Sequence, residues 1–157
     1  MADRLRLALL AGGWSREREV SLRSGEAVYK ALNKERYDVI RYDPKYDLKG
    51  LTEAKGDIDL AFILLHGKLG EDGSMQGMLE VLGIPFVGSG VLSSAMAFDK
   101  RVAKELYRGR GLRVAKEIIL RRGDKYSLGW VTESIGSPAV VKPVAEGSSI
   151  GVSICHN

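Results

Sequence analysis

The chain has 157 residues, of which 45% are hydrophobic and 28% are charged, and its formal net charge is +4. This composition is typical of a globular protein and excludes a disordered or fibrous chain. Like charges do not cluster into the long blocks of a nucleic-acid-binding tail, and the length suits one domain or one domain with part of a second.

Cysteine usage and hydropathy indicate the compartment. Cys155 is the only cysteine, so an internal disulfide is impossible, and cysteines and histidines do not have zinc-site spacing. The apolar run Leu7–Ala11 is too short for a signal peptide, and no segment has the length of a membrane span. We therefore expect a soluble, cytoplasmic protein without a membrane or nucleic-acid partner.

The first part of the chain alternates strand-like and helix-like segments. Short apolar runs predict strands at Leu5–Ala11, Asp38–Asp43, Leu60–Leu65 and Ile84–Val87. Apolar residues at helical spacing predict helices at Val20–Leu32 and Ser74–Leu82. This alternation predicts an α/β fold with a parallel, doubly wound sheet. The loops Gly12–Glu17, His66–Gly73 and Gly88–Gly90 follow strands, so we expect them to share the ligand-binding edge of that sheet.

The character of the chain changes near residue 95, where we expect a domain boundary that separates residues 1–95 from residues 96–157. The sequence of the second part predicts, in order, a long charged helix, a strand-like stretch, a short helix and the two strands of a hairpin. These elements are Ala95–Arg110, Val114–Leu120, a helix ending at Gly136, Ala139–Lys142 and Val152–Cys155. They are too few to close a core by themselves.

The segment Lys142–Gly151, called the glycine-serine loop below, is the strongest chemical signal. Its sequence KPVAEGSSIG offers small residues whose backbone N–H groups can surround an anion, and Lys142 adds a positive charge. It is not a Walker A loop, because no G-x-x-x-x-G-K-[ST] run is present. By itself a Gly/Ser hairpin is also compatible with a simple turn.

Other candidates each have a structural alternative. Glu17 and Glu19 stand near a helix start, where one can cap the helix and another can hold a substrate's ammonium group. His66 follows a strand at the binding edge. Glu71 and Asp72 are candidates for capping the next helix, a role favoured over metal binding. Gly88–Gly90 lacks the third glycine of a dinucleotide fingerprint, and Lys100 points either to a nucleotide or to solvent.

Taken together, the motifs resemble the D-alanine–D-alanine ligase family of the ATP-grasp superfamily. The four matching segments, in the family's order, are GG-x-S-x-EREVS at Gly12–Ser21, HG-x-x-GEDG-x-x-QG at His66–Gly77, GSGV-x-x-SA-x-x-x-DK at Gly88–Lys100 and P-x-VVKP-x-x-x-GSS-x-GV at Pro138–Val152. The resemblance implies a Rossmann-like amino-terminal domain followed by an incomplete ATP-grasp domain.

The resemblance also implies an activity and a set of residue roles. The family uses ATP to join two D-alanines through an acyl phosphate, for peptidoglycan synthesis. Glu17 would hold the first D-alanine's ammonium group, with His66 near the same substrate. Lys100 and Lys142 would contact the ATP phosphates. Ser148 would orient Glu17 and the substrates, and the Ser149 backbone N–H would bind phosphate.

The chain departs from the family in length. Family members are considerably longer, and the Mg²⁺ ligands, the loop over the active site and a catalytic arginine are expected in the part that is not present. We therefore expect these 157 residues to be inactive alone. The alternatives are a non-catalytic binding or dimerisation module, and a relative that uses D-lactate or D-serine as its second substrate. The resemblance favours a homodimer formed through the first domain.

Overall fold

The computed structural model describes residues 4–156. Four parallel strands form one sheet in the order β2-β1-β3-β4. The strands are β1 (Leu5–Leu10), β2 (Tyr37–Tyr42), β3 (Leu60–Ile63) and β4 (Phe86–Val87). All four predicted strands are present, with ends that differ by one or two residues, and their parallel pairing confirms the predicted α/β fold.

Helices connect the strands, and an antiparallel hairpin closes the described chain. The helices are α1 (Arg18–Ala31), α2 (Pro44–Glu53), α3 (Ser74–Leu82), α4 (Val91–Phe98), α5 (Lys100–Gly109) and α6 (Leu128–Ile135), with a short 3₁₀ turn at Ala54–Asp57. The hairpin strands are β5 (Ala139–Val141) and β6 (Ser153–Cys155). Among residues 4–156, no helix combines the length and the apolar composition needed to cross a membrane.

The hydrophobic core lies between the parallel sheet and its helices. Leu10 of β1, Leu51 of α2 and Leu79 of α3 are all fully buried and belong to one cluster. Full burial of such a side chain contributes about 1.5–3 kcal/mol. Because β1 lies inside the sheet with neighbours on both sides, its carboxyl end opens at the middle of the binding edge.

The predicted single helix Ala95–Arg110 is wrong in its extent. Two helices meet at Asp99, whose backbone is extended (φ −81°, ψ 107°). The Asp99 carboxylate accepts hydrogen bonds from the backbone N–H groups of Arg101 and Val102, which makes it the N-cap of α5. The helical spacing of apolar residues continues across this break and therefore conceals it. The predicted domain boundary at residue 95 falls inside α4 and stays a prediction.

The predicted strand at Val114–Leu120 is also wrong, since this stretch has no regular secondary structure and pairs with no described strand. Polar contacts hold it against α5 instead. Lys104 donates a hydrogen bond to the Ala115 carbonyl at 3.0 Å and forms an ion pair of 2.8 Å with Glu117. A strand requires a partner as well as suitable side chains, so the apolar run alone predicted too much.

Helix α2 is the element that the predictions omit. Asp43 accepts a hydrogen bond from the Lys45 N–H, and Pro44 occupies the first helical turn. An Asp-Pro pair at a helix start is a recognisable sequence signal, because proline has no N–H to leave unpaired there. The segment is not one continuous helix, because Asp47 inside it has non-helical backbone angles (φ −129°, ψ 36°).

Candidate functional site

The loops after β1 and β3 are joined at the carboxyl edge of the sheet. The hydroxyl of Ser21, which is fully buried, accepts a hydrogen bond from the Gly12 N–H at 2.8 Å. It donates one to the Leu64 carbonyl at 2.6 Å. The predicted convergence of Gly12–Glu17 and His66–Gly73 on one edge is therefore confirmed, and a single serine links the two strand ends.

Glu17 is a buried acid between two glycine backbones. Its side chain is only 7% exposed, and a Cβ placed on Gly67 or on Gly147 would lie 2.7 Å from its Oε2. Oε2 is buried and accepts no hydrogen bond from residues 4–156. A buried carboxylate oxygen without a donor is costly, so a cationic group is the ligand that this position suits best.

The alternative role of helix capping applies differently to Glu17 and Glu19, the two acids near the start of α1. Glu17 occupies the N-cap position, yet its side chain makes no capping hydrogen bond. Glu19 lies in the first turn and is exposed, where the helix dipole favours a negative charge. Capping therefore accounts for Glu19 and leaves Glu17 available.

His66 lies next to Gly67, at the start of the loop after β3. Its Nε2 is 3.4 Å from the Ser24 hydroxyl, and its Nδ1 is 4.0 Å from a carboxylate oxygen of Glu71. The ring is 30% exposed. The histidine is thus placed between a hydroxyl on α1 and an acid on its own loop, one residue from the glycine that contacts Glu17.

The two acids of that loop serve its backbone. Glu71 accepts a hydrogen bond from the Gly67 N–H at 2.7 Å. Asp72 accepts one from the Leu69 N–H at 3.0 Å and one from the Ser74 N–H, at the start of α3, at 3.1 Å. Burial raises the pKa of Asp72, but these hydrogen bonds outweigh it and the net pKa is lowered. Of the two acids, only Asp72 accepts a hydrogen bond from the first turn of α3, and it does so from one residue before the N-cap position, which is Gly73.

The described part of the chain does not fit a resident metal ion. Within residues 4–156, the side chains of His, Cys, Asp and Glu form no group of three or more that could hold one.

The glycine-serine loop contains a tight turn with unusual backbone angles. Ser148 and Ser149 both have positive φ, at 47° and 62°, and the Ile150 N–H donates to the Gly147 carbonyl at 3.0 Å. Positive φ at two adjacent non-glycine residues is uncommon and costs of order 1–3 kcal/mol each. Successive N–H groups in turns of this kind form concave anion-binding surfaces.

Four of the predicted site residues line one cleft of about 360 Å³. They are Lys100, Lys142, Ser148 and Ser149. The Lys100 ammonium donates to the Glu146 carbonyl at 2.6 Å and the Val144 carbonyl at 3.3 Å, so it ties the start of α5 to the glycine-serine loop. Lys142 is exposed and makes no ion pair within residues 4–156. The cleft therefore has two cations and a turn rich in backbone donors.

Of the remaining two predicted residues, Glu17 adjoins this cleft, whereas His66 does not line it. Glu17 reaches it through Gly147, which also lines the cleft, although no hydrogen bond joins Glu17 to Ser148 within the described residues. His66 is one residue from Gly67, on the other side of Glu17. The close approach of the two glycine backbones to Glu17 was not predicted. The sequence feature that could have indicated it is the presence of glycines in the HG and EGSS motifs.

Comparison with known proteins shows the family to which the chain belongs. A family model described as "D-ala D-ala ligase N-terminus" matches residues 6–49 and 43–89. A D-alanine–D-alanine ligase of Syntrophobacter fumaroxidans is 54% identical over 99% of this chain. The chain belongs to the D-alanine–D-alanine ligase family. It spans about half the length of the curated relatives that it matches, with 50% coverage of the Syntrophobacter protein.

Solved structures show how this half of a family member folds. The D-alanine–D-alanine ligase of Bacillus anthracis matches 98% of this chain with 37% identity and a TM-score of 0.84, and 50% of its own chain is covered. A structure of the Bacillus protein complexed with ATP matches with a TM-score of 0.81 at 36% identity and the same coverage. A D-Ala:D-Ser ligase from Enterococcus faecalis is 30% identical, with 97% of this chain and 55% of its own covered, at a TM-score of 0.76.

Proposed function

We propose that this chain is the amino-terminal half of a cytoplasmic ligase that uses ATP to join two D-alanines for peptidoglycan synthesis. The observation that carries the proposal is the buried carboxylate of Glu17, held against the glycine-serine loop with one oxygen unpartnered. An amino-acid site and a phosphate site must adjoin for phosphoryl transfer to a substrate carboxylate. Membership of the ligase family supports the same conclusion.

Glu17 is the proposed partner of the first D-alanine's ammonium group. A carboxylate and an ammonium form a charge-assisted hydrogen bond, which is stronger than a neutral one. His66, one residue from Gly67, is proposed to lie close to the same substrate. Its contacts with Ser24 and Glu71 support this role because they orient the ring at the edge of the Glu17 site.

ATP is the proposed substrate of the cleft beside the glycine-serine loop. Lys100 and Lys142 supply positive charge to its phosphates, and the Ser149 backbone N–H supplies a donor. Lys100 would exchange its present carbonyl acceptors for the more strongly attracting phosphate oxygens. Ser148 stands next to Gly147, the residue in contact with Glu17, and is therefore proposed to orient Glu17 and the substrates.

The proposed chemistry proceeds in two transfers. The carboxylate of the first D-alanine attacks the terminal phosphorus of ATP, and the breaking P–O bond releases ADP and leaves an acyl phosphate. The neutral amine of the second D-alanine then attacks the acyl carbon. The C–N bond forms, inorganic phosphate leaves and the amine loses a proton. In both transfers this half of the enzyme acts by positioning and by electrostatic stabilisation.

Three further properties belong to the whole enzyme. The Mg²⁺ that neutralises phosphate charge is expected to be held by residues outside this chain. The first domain is expected to comprise residues 1–95, and residues 96–157 are expected to be the start of the ATP-grasp domain. A homodimer is expected to form through the first domain. Activity measurements need a polypeptide of the relatives' length that carries this chain, called the complete ligase below. From residues 1–157 alone we expect no D-alanine-dependent release of ADP.

Replacement of Glu17 tests the proposal. In the complete ligase, Glu17→Gln keeps the shape of the side chain and removes its charge. The KM for the first D-alanine should rise roughly 10–150-fold, which corresponds to a lost charged hydrogen bond of about 1.5–3 kcal/mol. The measurement is the initial rate of ADP release over a range of D-alanine concentrations, fitted with separate constants for the two D-alanine sites.

Glu19→Gln is the matched control, since Glu19 is an exposed acid two residues further along the same helix. Its kinetic constants should stay within about twofold of the parent's. If Glu17→Gln also left the KM for the first D-alanine unchanged, the assignment of Glu17 to the ammonium group would be wrong.

The second substrate separates this proposal from its near alternative. A D-Ala:D-Ser ligase shares the fold of this chain at 30% identity, so the half described here is compatible with both enzymes. Offering the complete ligase D-alanine, D-serine and D-lactate as competing second substrates decides between them. We expect D-alanyl-D-alanine as the main product, and a main product that contains D-serine or D-lactate would replace the proposal by the alternative.

A further inference from the structure

Arg18 and Asp43 form an ion pair beneath the loop that carries Glu17. One guanidinium nitrogen of Arg18 donates to Asp43 Oδ1 at 3.0 Å, and the other donates to Oδ2. Both side chains are only 22% exposed. The pair spans from the start of α1 to the end of β2, so it joins two strand connections that are 25 residues apart in sequence.

The same pair holds Gly13 by both of its backbone groups. Arg18 donates to the Gly13 carbonyl at 2.9 Å, and Asp43 accepts from the Gly13 N–H at 3.0 Å. The preceding residue, Gly12, has φ of +98°, and a Cβ there would lie 2.6 Å from the Asp43 carboxylate. The backbone can approach the carboxylate this closely only because glycine is present.

The electrostatics agree with a permanent pair. Burial raises the pKa of Asp43, but hydrogen bonds from Arg18 and from the Gly13 and Lys45 N–H groups outweigh it, so the pKa is held below its usual range. The hydrogen bond to Asp43 raises the pKa of Arg18. Both groups therefore remain charged at neutral pH.

Glu17 lies between the two anchored points of this loop. Arg18 is its immediate neighbour, and the Glu17 N–H donates to the Ser15 hydroxyl at 3.1 Å within a turn closed by the Arg18 N–H and the Ser15 carbonyl. We infer that Arg18 and Asp43 are positioning residues that fix the Glu17 carboxylate between Gly67 and Gly147 for the substrate ammonium group. This inference rests on the proposed role of Glu17.

Asp43 also caps α2 through the Lys45 N–H, so the substitution must separate the two roles. Asp43→Asn retains an oxygen for the Gly13 and Lys45 N–H groups and loses the charge that faces Arg18. In the complete ligase it should raise the KM for the first D-alanine about three- to tenfold, because a misplaced binding group loses productive geometry. The KM for ATP should stay within about twofold.

Asp59→Asn is the control for a merely structural effect. Asp59 forms two side-chain hydrogen bonds with Arg6, of 3.2 and 3.0 Å, at the opposite, amino-terminal end of the same strand β1. Its replacement weakens an ion pair away from the site, whose side chains are 42% and 34% exposed. We expect a stability change in urea unfolding that is no larger than that of Asp43→Asn, and no change in the KM for D-alanine.

Combining Asp43→Asn with Glu17→Gln makes the test decisive. If the pair acts through Glu17, Asp43→Asn should change the KM for the first D-alanine by less than about twofold once the Glu17 charge is gone. An additive effect, an unchanged KM in Asp43→Asn, or an equal rise in the KM for ATP would overturn the inference. If Glu17→Gln alone has no effect, the proposed role of Glu17 fails as well.

A second variant covers the case in which Asp43→Asn does not fold. Arg18→Lys keeps the positive charge but lacks the planar fork that contacts the Gly13 carbonyl and Asp43 together. It should raise the KM for the first D-alanine in the same direction, with the KM for ATP preserved. Wild-type constants in a folded Arg18→Lys protein would contradict the inference.

Discussion

The two halves of the candidate site are built on very different supports. Residues 4–98 contain the parallel sheet and nearly all of the buried apolar side chains, whereas among residues 99–156 only Ala103 belongs to that group. Most side chains of β5 and β6 are exposed, with Val140 at 55% and Ile154 at 64%. Glu17 is thus anchored in a packed core, while the glycine-serine loop extends from an exposed hairpin.

The two halves therefore position their binding groups in different ways. The position of Glu17 depends on long-range contacts, such as the bond between Ser21 and the Leu64 carbonyl. The glycine-serine loop depends on its own backbone, with positive φ at Ser148 and Ser149, and on the Lys100 ammonium that holds its carbonyls. We therefore expect core substitutions to affect the Glu17 half through stability, and loop substitutions to affect substrate binding directly.

The largest expected effect is the loss of a core side chain in the first half. Leu79 of α3 is fully buried in the main cluster, so Leu79→Ala should lower the free energy of unfolding by about 2–5 kcal/mol. Leu128 of α6 is 74% exposed, and Leu128→Ala should change the free energy of unfolding by no more than about 0.5 kcal/mol. Urea unfolding of residues 1–157 measures both, and similar losses would remove the contrast between the two halves.

An intermediate effect is expected where the two halves touch. A methyl group on Gly147 would lie 2.7 Å from Glu17 Oε2, so Gly147→Ala should displace the carboxylate. In the complete ligase the KM for the first D-alanine should rise about tenfold. Gly129→Ala is the matched control, because nothing lies within 4 Å of a Cβ there. A Gly147→Ala enzyme with unchanged KM would show that Glu17 tolerates movement.

The smallest effect concerns the helix that begins the second half. Hydrogen bonds from Arg101 lower the pKa of Asp99 from 3.8 to about 2. Because the pKa of Asp99 is lower in the folded protein than in the unfolded chain, the ionised carboxylate stabilises the fold at pH values above its unfolded-state pKa. This stabilisation is lost as the pH falls through about 2. Asp99→Ala should therefore lower the free energy of unfolding by about 1 kcal/mol at pH 7. The difference in this free energy between variant and parent should become smaller from roughly pH 4 to pH 2.

Urea unfolding at several pH values checks this expectation. Leu128→Ala serves as the reference, since it alters no titratable group and its small effect should not vary over the same range. A difference for Asp99→Ala that stayed constant down to the lowest pH would contradict the role of the ionised carboxylate as a cap.

The amino-acid sequence alone was sufficient for the parts of the structure that depend on local patterns. The apolar run at Leu5–Ala11 predicted a strand, and the structure contains one at Leu5–Leu10. The alternation of strands and helices predicted the parallel sheet and therefore the common edge of the loops. The four motif segments led to the ligase family that the comparisons confirm.

Other features depended on partners distant in the chain. Val114–Leu120 has strand-like residues and no strand to pair with, so it lies against α5 through Glu117 instead. The end of α4 at Asp99 depends on a capping hydrogen bond that competes with a continuous helical pattern. Helical and strand periodicity report which side of an element is apolar, and they do not report where hydrogen bonds interrupt it.

The sequence by itself determined the chemistry available to this protein, namely an acid, a histidine, two lysines and a glycine-serine loop in a family-specific order. Only the tertiary structure decided which acid is buried: Glu17 lies against Gly67 and Gly147, whereas Glu19 faces solvent. It also paired Arg18 with Asp43 beneath the loop. The physical reason is that burial and ion pairing arise from contacts between residues far apart in the chain, which no local pattern specifies.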